Sequence, residues 1–482
     1  MPRTLPACSP SATVRRSATG GGARRAGAVL LAGVLAAMPA LQSAAAQPKG
    51  GLPIIRDAEI EDVLRDYLRP ILKAAKLSQQ NVQVVIINSR TFNAFVMDGR
   101  RIFVNAGALL DSKTPNQIIG VLAHEAGHIA GGHLSRLRQE LANMQTMAMI
   151  GMLLSAGAMV AGAYGGAGGL AQAGAASMSA QSEMVRRSLL SYQRSQEEAA
   201  DRAAVRFLDE TGQSARGMHE TFTRFAEQTM FISQGADPYQ QSHPMARDRV
   251  SALALLAKAS PHWAKTDSPE LQLRHDMMRA KLSGFLDRPD SVARRFPLSD
   301  TSVPARYARA ISAYRHTDLR GAVARIDELI QAQPKNPYLH ELKGQALLES
   351  GRAREAIAPL RRAAALAPQA HLIRILLGQA LVATNDPALL DEAIRTLRQA
   401  LAREPEVPDG YRQLAMAFGR KGEHGEADLA SAQASFSAGD IKTARELAGR
   451  ARQRFAVGSP GWVKADDIYS YKPPARVDGR PN

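Results

Sequence analysis

The chain has 482 residues, of which 45% are hydrophobic, so it can bury more than one core and is too apolar to be disordered. It carries a formal net charge of +16 without any dense Lys/Arg block interleaved with aromatics, which argues against nucleic acid as a partner. A single cysteine excludes an internal disulfide framework and a metal site built on several thiolates.

In chain order, Arg3, Arg15, Arg16, Arg24 and Arg25, with no acid among them, precede the apolar run AGAVLLAGVLAAMPAL and the Ala-x-Ala end. This pattern reads as a secretory signal over residues 1–46, cleaved after Ala46. The run is short and is broken by Pro39, which disfavours a membrane anchor. LPAC stands before the apolar run instead of after it, so Cys8 does not mark a lipid site. Removing the leader takes its five arginines from +16 and leaves +11, and it also takes the only cysteine. Histidines and carboxylates then have to do any metal binding.

Residues 47–263 read as one domain. RDAEIEDVLRDYLRPILKAA has helical periodicity, while VQVVIINS and AFVMDGRRIFVNAG read as strands with a turn at Asp98-Gly99. The expected edge strand is Arg101 to Asn105, where an extended peptide would pair beside the site.

VLAHEAGHIAGGH follows, placing three histidines and a glutamate among apolar or tiny residues. On a helix, His124 and His128 at i, i+4 project from one face and can grip one ion. Glu125 is displaced around the helix, where it reaches a water instead of the ion, which is the H-E-x-x-H pattern of zinc peptidases. The alternative is a surface helix with incidental histidines, and the apolar flanks disfavour it because buried ring nitrogens need partners. A third histidine, His133, falls one position short of the spacing for a metzincin ligand and reads as a supporting residue.

Residues 144–180 are almost free of charge and rich in Gly, Ala and Met. The favoured reading is a flexible lid or membrane-contacting segment, over a buried helix or a true span. Beyond it, EEAAD sets Glu197 and Asp201 at i, i+4 on a helical segment. Glu197 reads as the third metal ligand and Asp201 as the acceptor for a ligating histidine's free N–H.

Taken together, AHEAGHIAGGH, EEAAD, NAFVMDGRRIFVNAGAL and SHPMARDR resemble the zinc endopeptidase family of the CAAX prenyl proteases and HtpX, in particular its periplasmic BepA-like branch. The likeness runs from about Ile54 to Leu256. It implies one zinc ion per chain held by His124, His128 and Glu197, with Glu125 as catalytic base. It further implies that His243 of SHP approaches the zinc as a gate or serves the oxyanion, with Arg249 nearby in a supporting role. The implied location is the periplasm, and the implied partners are unfolded or misfolded outer-membrane β-barrel proteins and their assembly machinery.

After a transition at 264–303, residues 304–460 show a 34-residue period. Pro334, Pro368 and Pro405 recur at spacings of 34 and 37, as do Ala322, Ala356 and Ala393. That is the signature of tetratricopeptide repeats, with an insertion near TNDPALLD. Residues 461–482 read as a tail. The expected fold is therefore mostly α: an α+β zincin-type peptidase domain with a small sheet, then an α-helical repeat solenoid. The expected activity is zinc-dependent endopeptidase. The alternative is a chaperone or adaptor that binds clients through its repeats and keeps a largely latent zinc site.

Overall fold

The computed structural model describes residues 52–146, 149, 168–229, 243–244, 247–316 and 319–473. The leader expected over 1–46 and most of the lid expected over 144–180 lie outside the described residues.

Helix α1 (Ala58–Ala74) starts where the Asp57 side chain accepts the Ile60 N–H at 3.0 Å. Its Ile60, Val63, Leu64, Tyr67, Leu68 and Ile71 follow the 3-4 spacing of one helical face and are buried. Four strands accompany it: β1 (Ile54–Ile55), β2 (Gln83–Ile87), β3 (Ala94–Val96) and β4 (Arg101–Asn105), in the order β1-β2-β4-β3. β3 and β4 form the expected antiparallel pair around Gly99, whose φ of +75° is open to glycine without strain. β4 is not the edge, however, because it also pairs in parallel with β2, Gln83 opposite Arg101 through Ile87 opposite Asn105. Its last four residues are buried, and the edge on this side of the sheet is β3.

Short helix α2 (Ala106–Asp111) leads to α3 (Pro115–Ala130), which begins with proline at its first turn, where no intrahelical N–H is lost. α3 runs through the middle of the core with Ile118 to Gly127 buried, and it packs against α4 (Gly168–Glu210) and α5 (Arg216–Thr229). Residues 168–180 are thus the opening turns of α4. α6 (Arg247–Ala259) closes the domain. Within the 264–303 stretch lie α7 (Pro269–Leu286) and α8 (Pro289–Arg295), and α7 joins the cores of both regions through Met278 and Leu282 on one side and Met277 and Ala280 on the other.

The solenoid comprises α9 (Val303–His316), α10 (Leu319–Ala332), α11 (Pro337–Glu349), α12 (Ala353–Leu366), α13 (His371–Ala383), α14 (Leu390–Leu401), α15 (Pro408–Arg420), α16 (His424–Ser437), α17 (Ile441–Arg454) and α18 (Pro460–Ser470). The period has a packing cause. A Cβ on Gly344 would collide with Leu360 and one on Gly378 with Leu397, so the pairs α11/α12 and α13/α14 each close by a leucine filling a glycine notch. Ala322, Ala356 and Ala393 are fully buried at equivalent places. The insertion near TNDPALLD forms a single 3-10 turn, Pro387–Leu389. Helix α18 packs on α17 and occupies the start of the 461–482 stretch.

Candidate metal centre

The site is built where α3 and α4 touch. A Cβ on Gly127 would lie 2.9 Å from the carbonyl oxygen of Ala200, so the H-E-A-G-H and E-E-A-A-D segments meet at glycine-to-alanine distance. That approach brings His124 and His128 of α3 to Glu197 and Asp201 of α4, and His243 arrives from the segment before α6. One ligand atom from each of His124, His128, Glu197 and His243 lies within 4.8 Å of every other.

Five separations define the cluster. His124 Nε2 is 3.0 Å from His128 Nε2, 3.4 Å from His243 Nδ1 and 3.4 Å from Glu197 Oε2. His128 Nε2 is 3.3 Å from Glu197 Oε1, and His243 Nδ1 is 3.1 Å from Glu197 Oε2. Four donors tetrahedrally placed at ordinary zinc bond lengths are separated by about 3.3–3.5 Å. The donor chemistry and the spacing therefore fit a small cation, with three imidazoles and one carboxylate around it.

Each donor is held from behind. His124 Nδ1 lies 2.9 Å from Asp201 Oδ1, and His128 Nδ1 lies 2.9 Å from His133 Nδ1. His133 reaches that place because α3 stops at Ala130 and Gly132, with φ of +61°, turns the chain back; on a continuing helix it would point elsewhere. Arg249 grips Asp201 with Nε at 2.6 Å and Nη2 at 2.8 Å, and its Nη1 lies 2.8 Å from Glu197 Oε2. The same Nη1 donates to the Pro244 carbonyl at 3.2 Å, tying the His243 segment to the cluster. Phe222 of α5 lies edge-on to His124 at 5.4 Å and under the Arg249 guanidinium at 5.3 Å. No sequence signal marked it.

The electrostatics favour positive charge at the centre. Burial would raise Glu197, but His243 and His124 beside it hold it well below the usual carboxylate range. Burial opposes charge on His124, yet Asp201 and Glu197 lift it to about 9, and a bound cation satisfies the same demand. Burial pushes His128 down, leaving its ring neutral as a ligand must be. Glu125 differs from Glu197. It is fully buried, neither carboxylate oxygen makes a hydrogen bond among the described residues, and burial raises it above the usual range against the nearby His243 and His124. Its Oε1 is 3.5 Å from His243 Nε2.

Residues 55–257 match the model of Peptidase family M48. The chain carries an M48 peptidase domain. Residues 307–371 match a tetratricopeptide repeat model, so the M48 domain is followed by such repeats. Two curated relatives extend the likeness over both regions. The beta-barrel assembly-enhancing protease of Yersinia pestis is 23% identical over 418 residues, covering 86% of this chain and 83% of its own. The protein of the same name in Escherichia coli K12 is 21% identical over 421 residues, with the same shares covered. No described helix is long and apolar enough to cross a membrane.

Proposed function

We propose that the chain is a zinc-dependent endopeptidase, exported to the periplasm, that degrades misfolded or stalled outer-membrane β-barrel proteins and assists their assembly. The observation that carries the peptidase reading is the convergence of His124, His128, Glu197 and His243 at tetrahedral spacing beside a buried Glu125 that makes no hydrogen bond among the described residues. The names of the M48 relatives support the client class.

In this reading His124, His128 and Glu197 hold one zinc ion, which when bound supplies a Lewis acid that acidifies water and polarises the scissile carbonyl. Glu125 takes the proton of the attacking water and delivers it to the leaving amine, a role suited to a carboxylate whose proton affinity burial has raised. Asp201 keeps the proton of His124 on Nδ1 so that Nε2 faces the ion, and Arg249 holds Asp201 in turn. β3, the edge strand, is the element an extended substrate would pair with. His243 occupies the fourth donor position, and we read it as a gate that keeps the site latent.

The test is hydrolysis of casein and of an unfolded β-barrel protein by the purified chain, with and without a zinc chelator, alongside metal content. Cleavage lost on chelation and restored by zinc is expected. Cleavage indifferent to the chelator would overturn the metallopeptidase. Bound zinc with no cleavage by the parent protein or by His243→Ala would leave the chaperone or adaptor in its place.

A further inference from the structure

The start of α1, α7 and the first helices of three successive repeat pairs, α11, α13 and α15, line an open cavity of about 450 Å³. No residue of the histidine cluster lines it. Ile55, Phe285, Leu372 and Leu376 supply apolar wall, and Glu341 lines the cavity as well.

The charges behind this cavity do not balance. Lys281 is 2% exposed and is the ammonium for three carboxylates: Asp57 at 2.8 Å, Glu59 at 3.3 Å and Glu341 at 3.6 Å. Tyr307 completes Glu59 by donating its hydroxyl at 2.9 Å. Glu341 is served least. It is 8% exposed, and among the described residues its buried Oε2 has no hydrogen bond, only the 3.6 Å approach of Lys281. Burial raises its carboxyl to about 7 even though Lys281 pulls the other way. Arg56 also lines the cavity, but its guanidinium is already held by Glu61 at 2.7 Å and Glu404 at 2.8 Å. Three carboxylates that share one ammonium beside a cavity leave a place for a second cation brought from outside.

We propose that this cavity binds a lysine or arginine side chain of an extended partner segment, with Glu341 receiving the cation and the apolar wall an aliphatic neighbour of that residue. Gln345 and Gln379, which also line it, supply amides for the segment's backbone. The proposal is independent of the metal centre and concerns how the repeats and the peptidase domain jointly select what they hold.

The test uses the full chain carrying Glu125→Gln, so that a bound peptide is not cleaved, and a fluorescein-labelled Gly-Ser-Leu-Lys-Leu-Ser-Gly peptide read by anisotropy. The counterpart has norleucine for lysine. The lysine peptide should bind at least about tenfold more tightly, the scale expected for a desolvated charge pair. Glu341→Gln should abolish that preference. Gln379→Arg, which tethers a guanidinium inside the cavity, should weaken the lysine peptide by a similar factor while the fold is kept, and it decides the matter if Glu341→Gln does not fold. Equal binding of the two peptides to the parent, or a lysine preference that survives both substitutions, overturns the proposal. Stripping the metal should leave the affinities unchanged. Loss of binding on stripping would place the peptide at the metal centre instead.

Discussion

Gly127 rests against the backbone of Ala200, so the two helices that carry the histidines and Glu197 leave no room for a side chain between them at this point. The atoms in the way of a Cβ are main-chain oxygen and Cα at 2.9 and 3.1 Å, which cannot rotate aside. Gly127→Ala should therefore separate α3 from α4, destabilise the fold by about 1–3 kcal/mol and lower metal content below that of the parent. Calorimetry with metal analysis checks this. Unchanged melting and stoichiometry would mean that the helices have room to spare.

Glu125→Gln keeps the side chain's shape and leaves every metal-facing atom in place. Metal content should stay at the parent level while peptide hydrolysis falls by about 10²–10⁴-fold, the usual contribution of a positioned base. Retained hydrolysis removes Glu125 as the base. By contrast, His124→Ala, His128→Ala or Glu197→Ala should each lose metal together with activity.

His243 Nδ1 is 3.1 Å from Glu197 Oε2 and 3.4 Å from His124 Nε2, and in the proposed gate it fills a place that substrate and water need. His243→Ala should raise basal cleavage of an unstructured substrate with metal retained. A loss of cleavage with metal retained would instead assign His243 to the developing oxyanion.

A pH dependence follows from Glu341, whose carboxyl is raised from 4.5 to about 7 by burial, against the opposing pull of Lys281. The folded chain then holds this proton more tightly than the unfolded chain does. Below the unfolded value both states are protonated, and between it and about 7 the folded state binds more protons, so stability falls as pH rises. Glu341→Gln mimics the protonated form at every pH. Its melting temperature should match the parent's near pH 4.5 and exceed it increasingly up to about pH 7, with no further divergence above. A difference that is flat, or of opposite sign, contradicts the charge imbalance behind the cavity.

Local spacing carried much of this architecture. His124 with His128 and Glu197 with Asp201 are helical i, i+4 pairs, and the recurring Gly344 and Gly378 are notches that each receive one leucine, so the sequence period is the packing period. What spacing could not reveal was set by contacts between distant segments. β4 is interior because β2, fourteen residues or more upstream, pairs with it in parallel, and no pattern within RIFVN announces that partner. The His133 ring returns to His128 through the helix stop at Ala130 and the positive φ of Gly132, features that a helical projection ignores. His275 is fully buried on Tyr67 and the Ser112 carbonyl, a structural histidine that no motif distinguishes.

Lys281 draws its counterions from both regions of the chain, Asp57 and Glu59 at the entrance to the peptidase domain and Glu341 in the repeats. A cut between the two regions would strand Tyr307 and Glu341 on one fragment and leave Lys281 with Asp57 and Glu59 on the other. Exchange of repeat arrays between such enzymes is thereby restricted. A grafted solenoid would have to bring an acid at the position of Glu341 and a hydroxyl at that of Tyr307, or arrive with a different first helix, so the junction works as a compatibility check on inheritance by recombination.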